Sequence, residues 1–352
     1  MQSIHLISKQ ELTSAIEQIA PARYRADQIW KGLYLHFYQD WSEFSNLPAQ
    51  LIEYLSKNFS ISSLQSKQTI SSNNGRTQKH LLQLNDGALI ETVLIRNEDR
   101  NTICISTQVG CAVGCAFCAT GAMGFSRNLN AAEIIDQVSF VAHSLVKNDE
   151  KISNIVLMGM GEPFLNFDHT IKAISIFNHS EMFDIGARRI TISTIGIPDK
   201  IRQFAEIGKQ YNLAISLHAP NDKIRQDLIP IARKFPIKEI LDSANYYIEK
   251  TNRRITYEYV LIKGINANKE HAIELADLLR NQKCHINLIA LNMNNHYPGI
   301  PPDDTAIHAF IQILLDTGIP TTLRDSQGAG IQAGCGQLSG KYKMRSHART
   351  NR

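Results

Sequence analysis

The sequence predicts an α/β protein, a partial (β/α) barrel preceded by a small N-terminal helical domain. From about residue 100, short apolar runs alternate with amphipathic stretches six or seven times. That is the pattern of parallel strands joined by right-handed helical crossovers. Before it lie about sixty residues with helical spacing. Cysteines, a glycine turn and polar residues recur just after the apolar runs, where a barrel gathers its chemistry. A doubly wound sheet would produce much the same alternation and is the alternative architecture.

Each element follows from local pattern. In residues 1–60, Ile29, Leu33 and Phe37 fall at helical spacing, and Leu47-Pro48 opens a second helix carrying Leu51, Ile52 and Leu55. This segment is read as an accessory domain. A Ser-rich polar stretch at 60–76 reads as a connector. Asn85-Asp86-Gly87 between two apolar runs signals a hairpin, so 61–99 is assigned as linker and β-hairpin. The barrel is assigned to 100–325. Its strands are expected at 102–106, 154–158, 189–194, 213–217, 256–261, 285–291 and 321–324. Helices are expected at 131–145, 168–177, 198–207, 236–251, 268–281 and 304–317. Asn130 with Glu133 three residues on marks the first of these as a capping box. Residues 326–352 form a cysteine-bearing loop and a basic tail, with five Lys/Arg and no acid over 341–352. Such a tail suits phosphate contact or simple solvation equally.

Bulk properties bound the class. The chain has 352 residues, 43% apolar and 20% charged, with formal net charge +4. Global disorder is excluded by that apolar content. No apolar run reaches the ~18 residues of a membrane helix, and the N-terminus lacks a signal-peptide layout. A cytoplasmic location with no membrane partner is the expectation.

Six cysteines are present: Cys104, Cys111, Cys115, Cys118, Cys284 and Cys335. Four lie within fifteen residues, which points to metal or redox chemistry in a reducing compartment rather than a disulfide framework. Cys111-x-x-x-Cys115-x-x-Cys118 sits on a loop flanked by Gly110, Gly114 and Gly121. Three thiolates suit a four-iron cluster and leave one iron open for a chelating ligand. Structural zinc is the competing reading, but it wants a fourth ligand. One strand later, Gly159-Met160-Gly161-Glu162-Pro163 combines a tight turn with a carboxylate able to meet an ammonium group.

The cysteine spacing, with Phe117 before the last thiol, is the signature of the radical S-adenosylmethionine superfamily, and the chain resembles that group in detail. Over nearly its whole length it resembles the adenosine C2-methyltransferases of ribosomal and transfer RNA, the RlmN family. The resemblance is carried by Tyr24-Arg25-Ala26-x-Gln28-Ile29, Gly87-Ala88-Leu89-Ile90-Glu91-Thr92-Val93, residues 104–118, Arg127-Asn128-Leu129, residues 158–163, Ser216-Leu217-His218-Ala219-Pro220-Asn221-Asp222, Ile286-Asn287-Leu288-Ile289 and Ala333-Gly334-Cys335-Gly336-Gln337-Leu338. Many relatives have Ala where Gly334 stands. Where relatives usually carry Trp-Asn-Pro, this chain has Leu291-Asn292-Met293, so only Asn292 carries over.

The resemblance implies one [4Fe–4S] cluster on Cys111, Cys115 and Cys118, and two S-adenosylmethionine molecules per turnover. It implies that Cys335 carries the methyl group, that Cys104 pairs with it in a transient disulfide, and that Glu91 accepts a proton. Gly161, Glu162, Ser193, Ser216, Leu217, His218 and Asn292 are expected around S-adenosylmethionine. Without the family, Cys104 would read as a core thiol, Glu91 as an outward hairpin residue and His218 as a satisfied strand-end histidine. Cys284 matches nothing catalytic and reads as core. In the accessory domain Arg25, Trp30, Lys31 and Tyr34 are candidate RNA contacts, with Trp30 equally a core residue. Expected partners are 23S rRNA, tRNA and an electron donor such as a flavodoxin with its reductase, and the chain is expected to act as a monomer. The competing functions are a C8-adenine methyltransferase of the related resistance group and a non-catalytic iron–sulfur or zinc RNA-binding module.

Overall fold

The computed structural model describes residues 1–340 apart from 23, 99 and 325–327, so the basic tail lies outside the described residues. Ser8 and Glu11 form a reciprocal capping box that starts α1 (Lys9–Ile16). Helices α2 (Tyr24–Tyr34) and α3 (Ala49–Asn58) follow. Their apolar faces, with Leu12, Ile16, Ile29, Leu33, Leu51 and Leu55 at helical spacing, enclose a core separate from that of the barrel. A short parallel pair, β1 (Gln2–Ser3) with β2 (Phe59–Ser60), ties the ends of this module together. Trp30 and Tyr34 are only 6% and 7% exposed. The Trp30 indole donates to the Glu181 carbonyl, and the Tyr34 hydroxyl meets His5 Nδ1 at 3.2 Å. Both aromatics therefore pack the module and its junction with the barrel, and neither offers a face to RNA.

The connector expected at 60–76 is corrected: it contains β3 (Leu64–Ser71), which pairs antiparallel with β4 (Thr77–Leu84). It escaped detection because it is an edge strand. Its polar side chains face solvent, and its pairing is supplied by the backbone of β4 rather than by an apolar alternation of its own. The expected hairpin is present as β4 and β5 (Leu89–Asn97), and β5 pairs in turn with β6 (Arg100–Cys104). The sheet thus begins at residue 64 rather than 100.

The chain then forms a small hairpin, β7 (Gln108–Gly110) and β8 (Phe125–Asn128), enclosing a one-turn helix α4 (Ala119–Ala122). The alternation follows with α5 (Ala131–Val146), β9 (Asn154–Leu157), α6 (Phe167–Phe177), β10 (Ile190–Thr194), α7 (Pro198–Glu206), β11 (Asn212–Ser216), α8 (Asp222–Leu228), α9 (Ile237–Thr251), β12 (Ile255–Leu261), α10 (Lys269–Leu279), β13 (Cys284–Ala290), α11 (Asp304–Asp316) and β14 (Thr321–Leu323). Strand order in the ten-stranded sheet is β14-β13-β12-β11-β10-β9-β6-β5-β4-β3. From β6 onward all pairings are parallel. The order never reverses, so no topological switch point of a doubly wound sheet exists. Each crossover advances by one strand, as in a barrel, and among the described strands β3 and β14 do not pair, so the barrel is partial. Cys284 is buried at the start of β13, as its core reading expects. No helix among the described residues is long and apolar enough to cross a membrane.

Candidate active site

Gly110 shapes the cysteine loop. Its φ is +75°, and a Cβ there would lie 2.0 Å from the Gly124 carbonyl oxygen. This close approach lets Cys111 N donate to Gly124 O at 2.9 Å, while Cys118 N donates to Cys115 O at 3.1 Å. Cys111, Cys115 and Cys118 all line one cavity of ≈ 410 Å³. Burial, reinforced by the neighbouring thiols and Glu162, pushes the Cys111 thiol up to about 12 and Cys115 well above its ordinary value. Cys111 and Cys115 carry charge only beside a compensating cation, and thiolates on iron meet that requirement. Among the described residues no three His, Cys, Asp or Glu side chains are arranged to hold a single ion. A four-iron cluster makes a different demand, one thiolate on each of three irons, and the donor set fits it.

The adjoining wall comes from the ends of successive parallel strands. After β9, Gly161 has φ +103°, and a Cβ would lie 2.6 Å from Gln108 Cβ, so only glycine makes this turn. Glu162 accepts from Phe164 N at 3.0 Å through Oε1 and from Ile195 N at 2.9 Å through Oε2. Burial raises its carboxyl to about 7, against those hydrogen bonds. A ligand ammonium in the cavity would restore the carboxylate. Ser193 on β10, Ser216 at the end of β11 and Asn292 beyond β13 line the same space. His218, in the left-handed region at φ +60°, accepts from Val260 N at 3.1 Å through Nδ1. Its ring sits edge-on to Phe117 at 5.1 Å. Burial, then the Arg225 cation, hold it down to about 3, so it stays neutral and its Nε2–H is left as a donor toward the cavity. Leu217 is fully buried and does not line the cavity. Its backbone anchors the strand end, with Arg225 Nε donating to Leu217 O at 3.2 Å.

Cys104, at the end of β6, and Cys335 both line the cavity. Burial and the nearby Cys335 push the Cys104 thiol up to about 12, with Arg324 opposing. The Cys335 segment is fastened across the barrel mouth. Asn292 Nδ2 donates to Cys335 O at 3.0 Å, Ala119 N to Gly336 O at 2.8 Å and Thr120 Oγ1 to Leu338 O at 2.7 Å. Glu91 is not on the cavity wall. It is 1% exposed, pairs with Lys79 at 2.8 Å and accepts from Ser339 N at 2.7 Å. Its backbone carbonyl accepts from Ser106 Oγ at 2.7 Å, and the same hydroxyl accepts from Met160 N at 2.9 Å. Glu91 therefore sits behind the glycine turn.

Two charged residues of the site went unmarked in the sequence. Arg324, one residue past β14, lies 3.9 Å from Glu258 and donates to Met158 Sδ at 3.6 Å. Cys335, Glu258 and Cys104 hold its guanidinium more firmly protonated. Glu258, on β12, accepts from Asn287 Nδ2 at 3.0 Å and is otherwise buried. A carboxylate inside the apolar run 255–261, and a cation at a strand's C-terminal end, are the signals that would have found them.

Residues 105–277 match the family model of the radical SAM superfamily. A protein of Dictyoglomus thermophilum described as a probable dual-specificity RNA methyltransferase RlmN is 49% identical over 319 residues, 91% of each chain. One of the same description from Bacillus subtilis is 43% identical over 344 residues, 97% of this chain and 94% of that one. The crystal structure of a radical SAM methyltransferase from Sphaerobacter thermophilus superposes with a TM-score of 0.93 at 42% identity, covering 97% of this chain and 100% of that one.

Proposed function

This chain belongs to the RlmN family of the radical SAM superfamily and is an S-adenosylmethionine-dependent RNA methyltransferase, and from that premise we propose that it methylates C2 of adenine in 23S rRNA and in tRNA through a methylated cysteine. An iron–sulfur cluster and S-adenosylmethionine belong to this superfamily. We assign a single [4Fe–4S] cluster to Cys111, Cys115 and Cys118. When bound, it supplies the electron that cleaves S-adenosylmethionine to a 5′-deoxyadenosyl radical. Glu162 would take the ammonium of that ligand. Ser193, Ser216, His218 and Asn292 would meet its polar groups, and Gly161 makes room for it.

The observation that carries the reading is that Cys335 and Cys104 line the same cavity as the three cluster thiols. Adenine C2 has no lone pair to attack a sulfonium methyl, so the methyl group must be carried and activated on the protein. Cys335 takes the methyl from a first S-adenosylmethionine and loses a hydrogen atom from it to the radical. The resulting carbon radical bonds to C2; the adduct then gives up one electron, for which the bound cluster would be the acceptor, and its C2 proton, which Glu91 would take. The Cys104 thiolate then attacks the Cys335 sulfur and breaks its S–CH2 bond; the departing carbon keeps the electron pair and takes up a proton to become the methyl of the released base, and a Cys104–Cys335 disulfide remains. Two S-adenosylmethionine molecules are used per turnover. An electron donor of the flavodoxin type, a monomeric state and a cytoplasmic location complete the proposal.

Nucleoside mass spectrometry of rRNA and tRNA from cells with and without the protein tests it. Loss of 2-methyladenosine from both RNAs is expected. Loss of 8-methyladenosine instead would overturn the C2 assignment, and full activity of purified Cys335→Ala would overturn the methyl-carrier role.

A further inference from the structure

We infer that Lys79 is a positioning residue: with Glu91 it forms a buried latch that holds both ends of the 332–340 segment carrying Cys335, and freeing Glu91 requires the far end of that segment to let go.

The register of the hairpin brings the two together. Lys79 lies opposite Val93, and Leu81 lies opposite Glu91, across the β4–β5 ladder. Lys79 and Glu91 are therefore diagonal neighbours on one face of the sheet, the face on which Val93 lines the cavity. Their side chains are 6% and 1% exposed and meet at 2.8 Å. Neither charge is tolerable there without the other. Each then reaches a different end of one segment. Lys79 Nζ donates to Gln332 O at 3.1 Å. Glu91 Oε2 accepts from Ser339 N at 2.7 Å and Gly340 N at 3.2 Å. The cation thus holds a carbonyl before Cys335, and the anion holds two amides after it.

The arrangement has a consequence for chemistry, which rests on the reading of Cys335 and Glu91 above. Glu91 Oε1 lies buried against Lys79 as an ion pair without a hydrogen bond, and Oε2 takes the two amides. A proton acceptor must reach its substrate, and Glu91 is 1% exposed and off the cavity wall beneath 339–340, so it is uncovered only when 339–340 departs. Uncovering the base and loosening the cysteine segment are one event. Lys79 would hold the carboxylate in place throughout, so that it stays aimed when the amides leave.

Hydrogen–deuterium exchange on the reconstituted holoenzyme tests the latch without reference to methylation. In the wild type, the amides of Ser339 and Gly340 should be protected, and exchange at the rate of a free peptide would overturn the proposal whatever the variants do. Lys79→Met should speed exchange across 332–340 about tenfold or more with cluster absorbance unchanged, and Lys79→Arg should restore protection. A folded, cluster-loaded Lys79→Met with wild-type exchange would sink the idea. In turnover, Lys79→Met should lower kcat for RNA while leaving KM and S-adenosylmethionine affinity near wild type; a purely structural role would not split them. Should Cys335→Ala prove active, the methyl-carrier reading fails while the exchange result stands by itself.

Discussion

Cys104 illustrates how a single side chain is tuned by its surroundings. Burial, then the neighbouring Cys335, push its thiol up to about 12, while Arg324 pulls the other way. The proposed resolving step needs the thiolate. Removing the cation raises the Cys104 thiol further, so less thiolate exists at any given pH. Arg324→Gln should therefore slow release of the methylated RNA about tenfold at neutral pH, with activity recovering as pH rises. A pH–rate profile unchanged from wild type would show that Arg324 does not act on the thiol. Cys104→Ala should go further and accumulate a covalent protein–RNA adduct on a denaturing gel, whereas Cys335→Ala should form none. These outcomes separate the roles of the two thiols.

At the scale of elements, the turn after β9 is the most constrained piece of the site. Gly161 combines φ +103° with a backbone that touches Gln108, so a side chain meets both strain and a clash. Gly161→Ala should cost about 1–3 kcal/mol of stability in denaturant unfolding. It should also lower S-adenosylmethionine affinity by displacing Glu162, and a variant with wild-type affinity would show that the turn does not position that carboxylate. By contrast, the start of α5 is robust because it is shared. Glu133 accepts from Asn130 N at 2.9 Å while pairing with Arg127 at 2.9 Å, so Asn130→Ala removes one cap partner and should cost only ~1 kcal/mol by thermal melting.

Across the whole molecule, the junction between the helical module and the barrel carries two opposed titrations. Burial raises Asp136 to about 7, against hydrogen bonds from Ser63, and lowers His5 to about 4. The two stand 4.0 Å apart. Asp136 has a folded value above its unfolded one. Its stabilisation is complete below about 4 and is lost as pH rises through about 7. His5 has a folded value below its unfolded one. Its contribution is complete above about 6.5 and is lost as pH falls toward about 4. The slopes oppose each other in the wild type. Asp136→Asn should leave stability rising with pH over this window, and His5→Gln should leave it falling, each by at most ~1.4 kcal/mol per pH unit. Urea unfolding at several pH values measures both, and equal slopes in the two variants would refute the account.

What the sequence determined by itself is what lies close along the chain. The cysteines at 111, 115 and 118 share one loop, the Gly159–Glu162 turn follows its strand, and strand–helix alternation repeats with short connections, so spacing and periodicity report them directly. Tertiary structure decided what depends on sheet register. The edge strand β3 gets its order from β4 rather than from its own pattern. Trp30 is buried in the helical module's own core, and its indole finds its acceptor at Glu181, 151 positions along the chain. Glu91 faces the Cys335 segment, 248 positions along the chain, because the strand order folds the C-terminus back over β5. Arg324 and Glu258 meet because β14 and β12 flank β13. Local composition carries no trace of such partners, since their distance is set by backbone pairing across the sheet and not by their own neighbours.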